Sequence, residues 1–287
     1  MKIGAFASFM TPVSSPQLMQ NLARDLEQAG MDSLWLGEHV VLFDDMEYPY
    51  PGSPDGRLPI PAGYGIPDQV ATIAWCAAVT RSLRFGTGIS LISQRSAVYA
   101  AKEFATLDYL TGGRIDLGVG VGWCKEEVEA SGFEWSVRGR RTDEAIDLMI
   151  KFWTEDEVDF HGEFHTVRKG RMHPHPVQKP HIPLIVGGFS EAALKRTARI
   201  GQGWLGFGLT PQITRHMLVG IDKALHAVGR KREDLEIVMM PAVDDEESVR
   251  AFVDLGVDRL VPLIGTLDVA APLERLRHLE KLARLTT

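Results

Sequence analysis

Two clusters of small residues stand at the ends of two strand-like runs: Gly86, Thr87 and Gly88 on the first, then Gly118, Gly120 and Gly122 on the second. Backbone without side chains at a strand end lets something flat or anionic approach closely. In an α/β chain this points to a cofactor mouth. A further pair opens Gly187-Gly188-Phe189-Ser190, between a strand-like run at Pro183–Val186 and a helical run at Ser190–Ile200. Two glycines there let backbone N–H groups at the helix start face a phosphate. Lys195 and Arg196 would favour an anion and Glu191 would repel one that faced it; an ordinary capped helix is the alternative. Glu38-His39 ends another strand-like run. A histidine so placed can donate a hydrogen bond or hold a proton near neutral pH, or it can simply pack the rim.

Other patterns carry less chemistry. The literal G-x-G-x-x-G at Gly201, Gly203 and Gly206 follows a helix and enters a strand, the reverse of a dinucleotide fingerprint. His161 and His165 flank a hairpin turn, and His173 and His175 are spaced by prolines. Neither group has the spacing of a zinc helix, so no metal site is expected. Cys124 follows Trp123 in a glycine loop, with no histidine placed by sequence to make it a nucleophile. The acidic run Asp244–Glu247 opens a helix, where negative charge suits the dipole.

The elements that must position these residues alternate. Strands are expected at Ile3–Ala7, Ser33–Leu36, Arg84–Thr87, Ile115–Val119, Pro183–Val186, Trp204–Phe207, Leu235–Met239 and Arg259–Leu263. The helix capped by Ser15-Pro16 repeats Leu18, Leu22, Leu26 and Ala29 and stops at Gly30. Others are expected over Asp68–Thr80, after Ser96 to Gly112-Gly113, and over Arg138–Trp153, Ser190–Ile200, Pro211–Val228, Glu246–Leu255 and Pro272–Leu285. Eight strand–helix units argue for a closed (β/α)8 TIM barrel, one α/β domain over residues 1–287, with a doubly wound sheet as the alternative. Two insertions interrupt it. Glu157–Val167 reads as a hairpin. The proline- and glycine-rich loop Asp44–Gly65, with a turn signal at Ser53-Pro54-Asp55-Gly56, falls on the C-terminal face, where Tyr48, Tyr50 and Tyr64 could cover a ring-shaped ligand. A disordered insertion is the alternative. Leu273, Leu276, Leu279, Leu282 and Leu285 are expected to close the barrel rather than meet a membrane surface.

Bulk properties narrow the partners. The chain has 287 residues, 45% apolar, and a net charge of −7 from 31 basic and 38 acidic residues without a basic block, which argues against nucleic acid. Its apolar runs are strand-sized, so no membrane span is expected. The N-terminus enters a strand without a leader-like stretch, and the two cysteines, Cys76 and Cys124, are too few for a disulfide framework. A cytoplasmic location is expected.

Over nearly its whole length the chain resembles the luciferase-like flavin and deazaflavin oxidoreductases, most of all the actinobacterial branch that uses coenzyme F420. The matching pieces are LWLGEHVV (34–41), SPDGRLP (53–59), TRSLRFGTGISL (80–91), AKEFATLDYLTGGRIDLGVGVGW (101–123), RRTDEAIDLM (140–149), FHGEFH (160–165) and HPHPVQKPHIPLIVGG (173–188). The resemblance implies a barrel whose third strand carries a bulge with a non-proline cis peptide, here Gly88–Ile89, pressed on one face of the tricyclic ring. It implies cofactor contacts from Glu38, His39, Gly88, Ile89, Leu91, Val186, Gly187, Gly188, Phe189, Gly206 and Phe207, with His39 as the catalytic residue. One departure matters: a sugar-phosphate dehydrogenase of the family keeps a glutamate where this chain has Trp123, and Glu126 or Glu127 would be the substitute. Coenzyme F420 is the expected cofactor and FMN, serving a monooxygenase, the alternative; a deazaflavin-binding protein with little catalysis is the third reading. Arg95, Lys169 and Arg171 are the candidates for the acidic tail of F420. The substrate is a small molecule, and the resemblance implies a homodimer.

Overall fold

The computed structural model describes residues 1–53, 55–265 and 271–285, with side chains given outside 271–273. Pro54 of the turn signal and the side chains of Pro272 and Leu273 lie outside the described residues. Eight parallel barrel strands follow chain order: β1 (Lys2–Ile3 and Ala5–Ala7), β2 (Ser33–Leu36), β3 (Arg84–Thr87, continued at Ser90–Leu91), β4 (Ile115–Gly120), β5 (Leu184–Gly187), β6 (Gly203–Leu209), β7 (Glu236–Pro241) and β8 (Arg259–Leu260 and Leu263–Ile264). The sheet closes because β8 pairs with β1 through both of their halves, Arg259 with Lys2 and Leu263 with Phe6. The closed barrel therefore replaces the doubly wound alternative. Strands one and eight are each broken in two where the sequence pattern showed one run.

The helices are α1 (Pro16–Gln28), α2 (Gln69–Ala77), α3 (Ala97–Thr111), α4 (Lys125–Ala130), α5 (Arg138–Thr154), α6 (Glu191–Ile200), α7 (Pro211–Ala227), α8 (Glu246–Asp254) and α9 (Ala271–Leu285). The short α4 was not visible in the sequence pattern. α1 shows how the outer layer is built. Ser15 accepts from the Leu18 N–H as its cap, Pro16 starts it, and Met19, Leu22, Ala23 and Leu26 bury one face against the strands. In α9, Leu279 and Leu282 are buried and Leu276 and Leu285 pack beside them. Among the described residues no helix is long and apolar enough to cross a membrane.

Alternation along the strands divides the interior into layers. At the N-terminal end Arg259, 2% exposed, pairs with Asp116, Glu236 and Asp32, and Arg84 shares Asp116. Burial opposes ionisation of Asp116, yet Arg84 and Arg259 hold it below the usual carboxylate range. Above this plug lie Trp35, Ile185, Leu205, Val238, Met240 and Val261, with Phe6 and Ile89 against them. The β3–β4 side of this layer is glycine, and a larger residue of the neighbouring strand fills the space: a Cβ on Gly86 would come 2.2 Å from the ring of its register partner Trp35 on β2.

One surface carboxylate ties a loop to this frame. Glu27, near the end of α1, accepts from the N–H groups of Arg81, Ser82 and Leu83 and from the Ser82 hydroxyl. Although burial alone would raise it, the bonds from Ser82, Leu83 and Arg81 bring its pKa down to about 2 from an ordinary 4.5. A depressed carboxylate stabilises the fold above its unfolded value and ceases to do so as pH falls through its folded value. Glu27→Gln is therefore expected to lower stability at neutral pH by about 1 kcal/mol, below the usual worth of a charged hydrogen bond because solvent screens the site. Urea melts should show the gap closing as pH falls from 4.5 toward 2; a gap independent of pH would refute the assignment.

Candidate active site

The C-terminal mouth is built from the strand ends and the loops that follow them. On β3 the register against β4 slips by one residue: Gly86 faces Asp116, but Ser90 faces Val119. The extra residue is a bulge, and Gly88–Ile89 within it is a non-proline cis peptide, as the resemblance implied. Ile89 turns inward over the glycines of the next two strands, where a Cβ on Gly120 would come 1.9 Å and one on Gly187 2.9 Å from it. Those glycines make room for the bulge. Phe6, Ile89 and Met240 thus floor the mouth, while Phe207 and Leu263 stand 40% and 52% exposed at the tops of β6 and β8.

His39 sits beyond the end of β2. Its Nδ1 lies 3.0 Å from Oε2 of Glu127 on α4, and its ring meets Trp123 edge-on at 5.9 Å between centroids. Oε1 of Glu127 accepts from the Val40 N–H at 2.5 Å and the Val41 N–H at 3.4 Å. The histidine side chain is 14% exposed and the glutamate 1%. Tyr50 packs against Trp123 at 5.1 Å, extending the aromatic column outward. Glu127 was a bare alternative in the sequence; its partner 88 residues away is set only by the barrel.

Glu38 has a different role from the one the resemblance implied. Its carboxylate is buried and takes the Leu91 N–H at 2.6 Å, the Ser90 hydroxyl at 3.3 Å and the Arg95 guanidinium. It therefore braces the segment after the bulge. Arg95 is correspondingly not free for an acidic tail: Glu38 and Glu103 hold it. Arg171 pairs with Glu157 at 2.9 Å, and Lys169 stands exposed on the second strand of the hairpin, whose strands run over Val158–His161 and Thr166–Gly170 rather than ending at Val167. Leu91 is buried. Val186 belongs to the strand–helix layer, and a Cβ on Gly206 would meet Met239 and Trp204, so neither position presents a side chain to the mouth. Alternation places backbone, not side chain, at those two sites.

The anion cradle is better formed. Gly188 has φ +121°, and a Cβ there would lie 2.9 Å from Ala193. The Trp204 indole N–H donates to the Gly188 carbonyl at 3.0 Å, and Phe189, 45% exposed, packs edge-on against the same indole. Ser190 caps α6 by accepting from the Ala193 N–H. Glu191 is drawn off by Lys195 at 2.7 Å, which removes the repulsion expected of it. Arg196 is buried against Asp143 and does not serve an anion. An anion here would be met by neutral N–H groups and the helix dipole alone.

The long loop is docked. Thr11 pairs with Gly65 at its base, the Glu47 N–H donates to Glu126 at 2.7 Å, and Tyr48 stacks on Trp135 at 5.5 Å. Tyr48 and Tyr50 thus pack on protein aromatics rather than standing free. At the hairpin tip, Glu144 of α5 accepts from the N–H groups of Glu163, Phe164 and His165 and from the His165 ring. His173 and His175 stack on each other at 4.8 Å. Burial pushes the Cys124 thiol up to about 11, which leaves it protonated and unreactive at neutral pH.

Similar proteins share this frame. An uncharacterized protein of Mycobacterium tuberculosis is 33% identical over 213 residues, 74% of this chain and 70% of its own length. An FMNH2-dependent dimethylsulfone monooxygenase of Pseudomonas putida is 32% identical over 66% of this chain and 54% of its own. An F420-dependent glucose-6-phosphate dehydrogenase of Microbacterium testaceum is 29% identical over 74% and 60%. Among solved structures, an F420-dependent secondary alcohol dehydrogenase superposes with a TM-score of 0.80 at 18% identity, covering 100% of this chain and 99% of that one. The family model described as luciferase-like monooxygenase matches residues 1–254. With its closed barrel, its bulged third strand and this match, the chain belongs to the luciferase-like monooxygenase family, whose relatives here include both F420- and FMN-dependent enzymes.

Proposed function

We propose that the protein is an F420-dependent oxidoreductase that moves a hydride between the deazaflavin and a small, uncharged organic molecule. The observation that carries this reading is His39, held just beyond the end of β2 with one ring nitrogen anchored on Glu127. Reduction of a carbonyl or activated double bond takes up a proton together with the hydride, and a braced histidine can supply one. Bound F420 would supply the hydride. The chain's own residues do the rest. Gly187, Gly188 and the start of α6 fit a phosphate. Phe6, Ile89, Met240, Phe207 and Leu263 give a substrate an apolar bed, and the docked loop 44–65 limits water.

A second reading, an FMN-dependent monooxygenase, is favoured by one feature. Arg95, Lys125 and Lys195 are each paired with a carboxylate, which makes them poorer partners for an acidic cofactor tail. Titration with F420 and with FMN separates the readings. F420 binding with hydride transfer supports the first, and FMN-dependent oxygen uptake replaces it with the second. Binding without turnover reduces the protein to a carrier.

The cradle gives a further expectation. Gly188→Val adds a β-branched side chain at positive φ against Ala193 and should weaken either phosphate-bearing cofactor by about tenfold or more. Fluorescence titration reads the affinity, and an unchanged value would refute a phosphate site at Gly188.

A further inference from the structure

We infer that Glu127 is a positioning residue that fixes the tautomer of His39, keeping the proton on Nδ1 and presenting Nε2 as the working atom. An ionised carboxylate only accepts hydrogen bonds. Oε2 of Glu127 lies 3.0 Å from Nδ1 of His39, so the ring nitrogen must be the donor. The carboxylate cannot swing away, because its other oxygen holds the Val40 and Val41 N–H groups and the side chain is 1% exposed. Trp123 against the ring edge limits the imidazole to the same orientation. Neutral His39 then has a bare Nε2 that takes up a proton, and protonated His39 delivers it from that same atom. One carboxylate therefore sets both the backbone at Val40 and Val41, just before the long loop, and the direction in which the histidine works.

An isosteric change separates this role from mere packing. In Glu127→Gln the amide oxygen would stay with the Val40 N–H, a fixed backbone donor, and the NH2 group would face His39. A donor opposite Nδ1 requires Nδ1 to accept, so the proton moves to Nε2 and the working atom is blocked. A buried carboxylate that holds a catalytic imidazole in its tautomer elsewhere is worth orders of magnitude in turnover.

Imidazole nitrogen shifts in 15N-labelled, cofactor-free protein, above the pH where the ring takes up its proton, read the tautomer directly. The expected result is Nδ1–H for His39 in the native chain and Nε2–H in Glu127→Gln. Nε2–H in the native chain overturns the inference, and so does Nδ1–H in both. Should the variant fail to fold, the native tautomer alone still decides for or against it. The inference rests on the proposed function only in giving His39 a proton to move. Titrating F420 into the same sample keeps the two apart: an Nδ1–H ring in a protein that ignores F420 removes the function and leaves the tautomer assignment standing. With F420 turnover established, Glu127→Gln should lower kcat by about 10²-fold or more at unchanged KM for the carbonyl acceptor.

Discussion

Replacing His39 with Ala is expected to lower turnover by about 10²–10⁴-fold, the usual contribution of a positioned acid–base group, while F420 affinity changes little. The cradle at Gly188 and the bulge at Gly88–Ile89 are built without His39, so binding should survive its loss. A hydride delivered to a carbonyl carbon leaves an oxygen that needs a proton, and in the variant that proton must come from water. Steady-state oxidation of reduced F420 by a carbonyl acceptor gives kcat, and fluorescence titration gives the affinity. Equal turnover would remove His39 from the mechanism. A loss confined to affinity would make it a binding residue.

Gly118→Ala is expected to be the most damaging single methyl group in the chain. A Cβ there would lie 1.8 Å from the Thr87 carbonyl oxygen, which is backbone of the neighbouring strand and has no rotamer to yield. The Thr87 hydroxyl also donates to the Gly118 carbonyl at 2.7 Å, so the two strands are locked face to face. Overpacking that only side chains relieve costs about 1–3 kcal/mol; a backbone clash at the bulge should exceed that and lower Tm by on the order of 10 °C or prevent folding. Gly139→Ala is the control. Nothing lies within 4 Å of its added Cβ, in the first turn of α5, and better helix propensity should leave Tm equal or slightly raised. A native melting curve for Gly118→Ala would show that β3 and β4 can separate at the bulge.

The fold was legible where local chemistry punctuates it. Ser33–Leu36 and Arg84–Thr87 were bounded correctly because turn residues flank short apolar runs. The need for glycine at the break in strand one was not legible, because it is set by a neighbour: a Cβ on Gly4 would lie 2.5 Å from the Ser33 hydroxyl of β2. At the site the glycines were legible for a similar reason, since an absent side chain is a local fact. Which carboxylate meets which cation is a long-range fact. Glu38 and His39 are adjacent in sequence, yet one turns to Arg95 and the other to Glu127. Tyr48 and Tyr50 of the long loop read as a cover for a ligand because their ring partners, Trp135 and Trp123, lie in distant segments on either side of α4.

The closing seam also dictates when this protein can exist. β8 meets β1 through Arg259 and Lys2, 257 positions apart (259 − 2), so the barrel cannot close until the seven other strands have been made and β8 has followed them. Until Arg259 is present, Asp32, Asp116 and Glu236 share one cation fewer, which disfavours bringing them together. A nascent chain stalled short of that residue displays the bare edges of β1 and β7, ready to pair with another chain. Arg259 gives all three carboxylates a shared partner, beside Arg84 on Asp116 and Lys2 on Glu236, and its strand covers both edges in one step.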